Sequence, residues 1–236
     1  MKAILSVIII FLFGFGCALI RPYTTEPDRT LIHDEIVYFR SLVNLSHHDD
    51  ASSFELTGYW SAGEPVLVMQ GYLPPPSFKN LFLVMMTRDS MLIRDRVNNE
   101  DRLYLFDEEV WEQYHSLIDI AGYALYAGST LDGRMRTRWR EENAQAELRL
   151  TRVPLIRRVR YEYSFEAGNL QETRVAFPRD VGMFLHFHAH EKRVEMPDVA
   201  RMMAISDSVA LPVYQVTGDN FEEFLQDLIH AVDRSF

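Results

Sequence analysis

Between Ala146 and Val194, apolar and polar residues alternate with a period of two through several consecutive segments. Side chains switch faces at each step along a strand, so this pattern marks strands buried on one side only. Val159, Tyr161, Tyr163 and Phe165 share one face, and Arg158, Arg160, Glu162, Ser164 and Glu166 share the other. Ala146, Leu148 and Leu150 alternate with Glu147, Arg149 and Thr151 ahead of Pro154, which interrupts that strand. Thr173, Val175 and Phe177 repeat the pattern between the turn signals Gly168-Asn169 and Pro178-Arg179-Asp180. In the last segment Met183, Leu185, Phe187 and Ala189 make an apolar face, while Phe184, His186, His188, His190 and Lys192 take the opposite one. Together these segments predict an antiparallel meander.

Upstream, Phe54 to Trp60 and Val66 to Leu73 predict a hairpin, and the three prolines from Pro74 end its second strand. Leu81 to Thr87 is continuously apolar, as expected of a strand buried on both faces. Met91 to Val97 and Arg102 to Phe106 predict a second hairpin, and Leu211 to Val216 a further strand. The period then changes to that of a helix. Behind Asp107 as N-cap, with Glu108 and Glu109 in the first turn, Val110, Trp111, Tyr114, Leu117, Ile118, Ala121 and Leu125 form an apolar stripe. His115 lies off that stripe and is expected at the surface. Leu31, Ile32, Ile36, Phe39 and Val43 recur at three and four residues behind Pro27, which predicts a helix there too. A short helix is expected from Asp198 to Ser206, and an amphipathic one from Phe221 to Arg234 on the stripe Phe221, Phe224, Leu225, Leu228 and Val232. The fold expected is therefore α+β: mainly an antiparallel β-sheet, a meander, flanked by three to four helices. Without repeats or an interdomain linker, residues 27–236 are expected to form a single globular domain.

The start of the chain adds an address. Met1-Lys2 is positively charged, and Ala3 to Gly16 is uncharged and apolar, a run too short for a spanning helix but suited to a signal peptide. Cys17, the only cysteine, ends that run and resembles the lipidated cysteine of a bacterial lipobox. Lipidation accounts for one unpaired thiol in an exported chain. Residues 1–16 are then a lipoprotein-type signal, and 17–26 a tether. Ala18 after the cysteine points to the outer membrane of a cell envelope, the chain facing the periplasm. Ordinary signal cleavage after Ala18, giving a secreted protein, is the alternative.

The net charge of −10 argues against nucleic acid as a partner. One basic cluster exists: Arg134, Arg136, Arg138 and Arg140 alternate with Met135, Thr137 and Trp139, either as an anion-binding face or as a solvated strand face. His47-His48-Asp49-Asp50 reads as a solvated loop. The one constellation able to carry chemistry is the histidine strand. Histidines two apart on a strand project from one face and can converge on one ion, whereas three in a row span too far. His188 with His190, or His186 with His188, is thus a candidate metal pair, with Glu195 assisting. Gly182, His188, His190 and Glu195 resemble part of the first cupin motif. That resemblance spans 14 residues, Met202 stands where a second glycine would follow, and no second cupin motif lies downstream. No nucleophile elbow, Walker loop or dinucleotide fingerprint occurs. The sequence thus points to a cell-envelope lipoprotein that acts by binding, as an assembly factor, adaptor or ligand carrier, with an unknown protein or apolar ligand as partner and no cofactor. The alternative is an exported metal-dependent enzyme holding one zinc, iron or manganese ion.

Overall fold

The computed structural model describes residues 36–47, 50–61, 66–77, 79–125, 135–140, 143–150, 153, 158–167, 169–178, 181–193, 195, 198 and 211–233. The segment expected to be a signal peptide, Cys17, Arg134 and the short helix expected after Pro197 lie outside them, save Asp198, which is not helical. Among the described residues the strands are β1 (Ile36–His47), β2 (Asp50–Ser61), β3 (Val66–Tyr72), β4 (Asn80–Met86), β5 (Ser90–Asp95), β6 (Glu100–Phe106), β7 (Met135–Arg140), β8 (Asn143–Arg149), β9 (Arg158–Glu166), β10 (Asn169–Ala176), β11 (Val181–Arg193) and β12 (Val213–Val216). All belong to one sheet in the order β12-β6-β5-β4-β3-β2-β1-β11-β10-β9-β8-β7. Eleven strands run antiparallel to their neighbours, and the short edge strand β12 adds in parallel to β6. Among the described residues, two helices, α1 (Trp111–Ala124) and α2 (Phe221–Asp233), and one 3-10 turn (Glu108–Val110) accompany the sheet.

This corrects the expectation of three to four flanking helices. The helix expected across Ile36, Phe39 and Val43 is the strand β1. Its buried row is Val37, Phe39, Ser41, Val43 and Leu45, a strict alternation. Ser41 is polar yet fully buried, and together with apolar Ile36 and Leu42 on the other row it hid the period of two. The meander itself stands as expected, and β4 is buried on both faces. Its Leu83 and Met85, with Val68 and Leu92, form a small cluster on the face opposite the main core.

The main core is a single cluster that draws on β1 to β6, on β8 to β12, and on both helices. The outer face carries charge pairs instead, such as Arg40 with Glu55 at 2.7 Å and Arg149 with Glu147 at 2.9 Å. The sheet must curve around α1, and contacts from adjacent helix residues demonstrate it. Gly122 meets Trp60 of β2, whereas the next residue, Tyr123, accepts a hydrogen bond from Tyr163 of β9. Four strand spacings separate β2 from β9, about 19 Å in a flat sheet. α1 also packs closely on both β3 and β9, which stand five places apart, and curvature of the sheet brings both to one helix. The sheet is a half-pipe, and α1 lies in its lumen.

Candidate ligand-binding lumen

The lumen wall is built by the alternation already described. Val159, Tyr161 and Tyr163 of β9, Met183, Leu185 and Phe187 of β11, and Phe54, Leu56 and Trp60 of β2 are all buried on its concave side. Aromatic rings dominate the wall, and Tyr161 and Tyr163 lie parallel with centroids 6.0 Å apart. Close packing of helix on wall depends on glycine. A Cβ on Gly122 would lie 2.5 Å from a ring carbon of Trp60, so only a hydrogen fits there.

From Tyr114 to Leu125 every residue of α1 and its C-cap is buried. A helix end inside a protein needs partners for its last carbonyls, since water is excluded. The wall supplies them. Tyr161 donates to the Ile120 carbonyl at 3.1 Å, Tyr163 to that of Tyr123 at 2.7 Å, and the His190 Nε2–H to that of Leu125 at 2.7 Å. At the other end Tyr114 of the helix donates to the Ser90 carbonyl of β5 at 2.6 Å. Burial raises the Tyr114 and Tyr161 phenols well above their usual range, which keeps both as donors.

The helix also buries polar groups. His115 is 2% exposed, Ser116 0% and Asp119 1%. His115 was expected at the surface; instead its ring packs on Trp111 with centroids 3.5 Å apart, and the Arg88 guanidinium sits over the same indole. Burial, followed by the charge of Arg88, lowers the His115 pKa from 6.5 to about 4. Ser116 returns its hydroxyl to the Glu112 carbonyl at 2.7 Å. The buried hydroxyls of Ser41 on β1 and Thr173 on β10 find no hydrogen-bond partner among the described residues.

The histidine strand divides in a way that the sequence pattern did not convey. A β-bulge shifts the register, so that Ser41 pairs Phe187, Arg40 pairs Ala189 and Phe39 pairs His190. His188 is the extra residue. Beyond it the faces exchange, and His190 points to the core beside Phe187, their ring centroids 5.3 Å apart. Burial lowers the His190 pKa, opposed by its backbone hydrogen bonds. His190 is thus a helix-capping donor on the lumen side, while His188 is exposed. His186 and His188 remain near each other at 5.5 Å between centroids, and His186 Nδ1 lies 3.4 Å from Glu172 Oε1. Glu195 is exposed. Among the described residues no group of three or more His, Cys, Asp or Glu side chains is placed to hold a metal ion. On the edge strand β7 the backbone register sets Arg136 opposite Glu147, Arg138 opposite Gln145 and Arg140 opposite Asn143.

No protein-family model matches the chain, and no curated protein matches it in sequence. Among solved structures it is similar to a LolA superfamily protein from Nitrosomonas europaea, at 8% identity and a TM-score of 0.37 over 75% of this chain and 92% of that one. It is similar also to a DUF1329 family protein from Desulfovibrio piger, at 10% identity and a TM-score of 0.40 over 70% of this chain and 89% of that one. A third likeness is to an uncharacterized conserved protein from Thermus thermophilus, at 8% identity and a TM-score of 0.40 over 78% and 91% of the two chains.

Proposed function

We propose that this chain is a cell-envelope binding protein that carries an apolar ligand in the lumen of its half-pipe, with α1 filling the lumen when no ligand is held. In this reading a lipid on Cys17 tethers the protein to the outer membrane, and binding, not catalysis, is its activity. One observation carries it: α1 is buried from Tyr114 to its end, yet brings His115, Ser116 and Asp119 into a mostly apolar lumen. Buried polar groups lose solvation that their protein partners only partly restore. A helix meant to stay in the core permanently would place apolar residues at those positions. A helix that alternates between lumen and water gains from them when it emerges. The inward rows of the wall are mostly aliphatic and aromatic.

The exchange has terms of both signs. A displaced α1 exposes its own apolar stripe but regains hydration of its polar residues, while the ligand covers the wall. The test is saturable binding of the apolar dye 1-N-phenylnaphthylamine to the mature chain, followed by hydrogen exchange. About one dye per chain is expected, with faster exchange of the α1 amides in the complex. Absence of saturable binding, or binding that leaves α1 protection unchanged, refutes the reading.

A further inference from the structure

Two hydroxyls in the lumen wall bond no described residue in the empty state. Ser41 lies in the inward row of β1 between Phe39 and Val43, and Thr173 in that of β10 two residues from Val175. Both are 0% exposed, and neither hydroxyl has a hydrogen-bond partner among the described residues. A buried hydroxyl left unpaired opposes folding, and alanine or valine at the same sites would avoid that cost. Neither residue contributes to the capping of α1, which Tyr161, Tyr163 and His190 perform.

We infer that Ser41 and Thr173 read the ligand, and that the ligand class is an acyl compound with neutral carbonyl linkages, esters or amides; this rests on the carrier reading above. A hydroxyl is the complement of a carbonyl acceptor in an apolar wall. A charged carboxylate would not serve, because two lone hydroxyls cannot replace its lost hydration. Spacing adds a constraint. Thr173 pairs Leu185, which pairs Val43, so the two hydroxyls are offset by two strands and two residues. Unrolled flat, that offset is about 12 Å. One carbonyl cannot meet both, so the ligand presents two acyl linkages.

The experiment compares ethylene glycol dihexanoate with hexadecane, a diester and an alkane of equal chain length, as displacers of 1-N-phenylnaphthylamine from the mature chain. Measured against the double variant below, the wild type is expected to favour the diester relative to hexadecane by roughly 2- to 10-fold for each hydroxyl engaged. Ser41→Ala with Thr173→Val, which preserves shape, is expected to erase that preference while leaving hexadecane affinity in place. The double variant should also melt at the same temperature as the wild type or higher, since no described residue bonds the hydroxyls in the empty state. A preference that survives both substitutions, or a lower melting temperature with hexadecane affinity kept, overturns the assignment. Failure of both probes to displace the dye overturns the carrier reading itself, and the assignment with it.

Discussion

Tyr163→Phe separates a helix that is a permanent part of the core from one that leaves it. The Tyr163 side chain is 1% exposed, and its hydroxyl donates to the Tyr123 carbonyl at 2.7 Å. Phenylalanine keeps the ring and its parallel neighbour Tyr161, and removes the hydroxyl's hydrogen bond to a buried carbonyl. That costs about 1–2 kcal/mol. Urea denaturation should show the loss as a lower midpoint with an unchanged slope. The second measurement is dye affinity. If α1 leaves the lumen on binding, water satisfies the Tyr123 carbonyl in the complex, and the substitution penalises the empty state alone. The open form gains population, and apparent affinity rises by the same free energy, about tenfold for each 1.4 kcal/mol. A permanent helix predicts the opposite: lower stability with affinity unchanged or weakened. A variant that is less stable and binds no more tightly would refute the displacement of α1.

Gly122→Ala should destabilise by about 1–2 kcal/mol in thermal melts, because crowding against Trp60 outweighs the better helix propensity of alanine; a stabilised variant would show that the helix does not press on the wall. Tyr163→Ala should cost about 3–5 kcal/mol by cavity formation, and the exposed Glu162→Ala less than about 0.5 kcal/mol, so equal effects in denaturant would mean a wrong strand register. His115 has its folded pKa lowered from 6.5 to about 4, so the unfolded chain takes the proton first as pH falls. Its contribution is then complete above about pH 6.5 and lost toward pH 4, and His115→Gln should flatten that limb of a Tm-against-pH curve, whereas an acid limb equally steep in the variant would exclude His115 as its source. Intact-mass spectrometry of the exported protein should find residues 1–16 removed and acyl mass on Cys17; a chain that starts at Leu19 without acyl mass would favour simple secretion.

Strands were legible wherever the inward row was uniformly apolar. Val159, Tyr161 and Tyr163 need no context to read as a face, and the continuous run from Leu81 reads as a strand covered on both sides. β1 escaped because Ser41 interrupts its buried row, leaving Ile36, Phe39 and Val43 as the apolar residues the eye connects at helical spacing. The burial of His115 was hidden for a related reason. An amphipathic stripe reports which side of a helix faces one wall, but α1 lies inside a curved sheet, where the other sides are covered too. Closure of the half-pipe depends on β2 and β9 approaching each other, and no local pattern in either strand records that approach.

The histidine strand shows how much rests on register. A period-two pattern assigns faces only while the ladder is unbroken, and one inserted residue sends every later side chain to the other side. Before the bulge β11 presents Met183, Leu185 and Phe187 to the core; after it, His190 takes that direction. Had the alternation continued, His190 would lie outside beside His188, and the Leu125 carbonyl would be left buried without that donor. The bulge therefore converts one member of an H-x-H pair into the cap of α1. Its position fits that use, since β11 is adjacent to β1 near the middle of the sheet order and reaches the C-terminal end of the helix. A neutral imidazole suits the task, for it donates one N–H without bringing a charge into the lumen, and burial holds it in that form. The lumen consequently ends on three donors from three side chains, Tyr161, Tyr163 and His190, all directed at the carbonyls of the one element that must move if the lumen is to be filled.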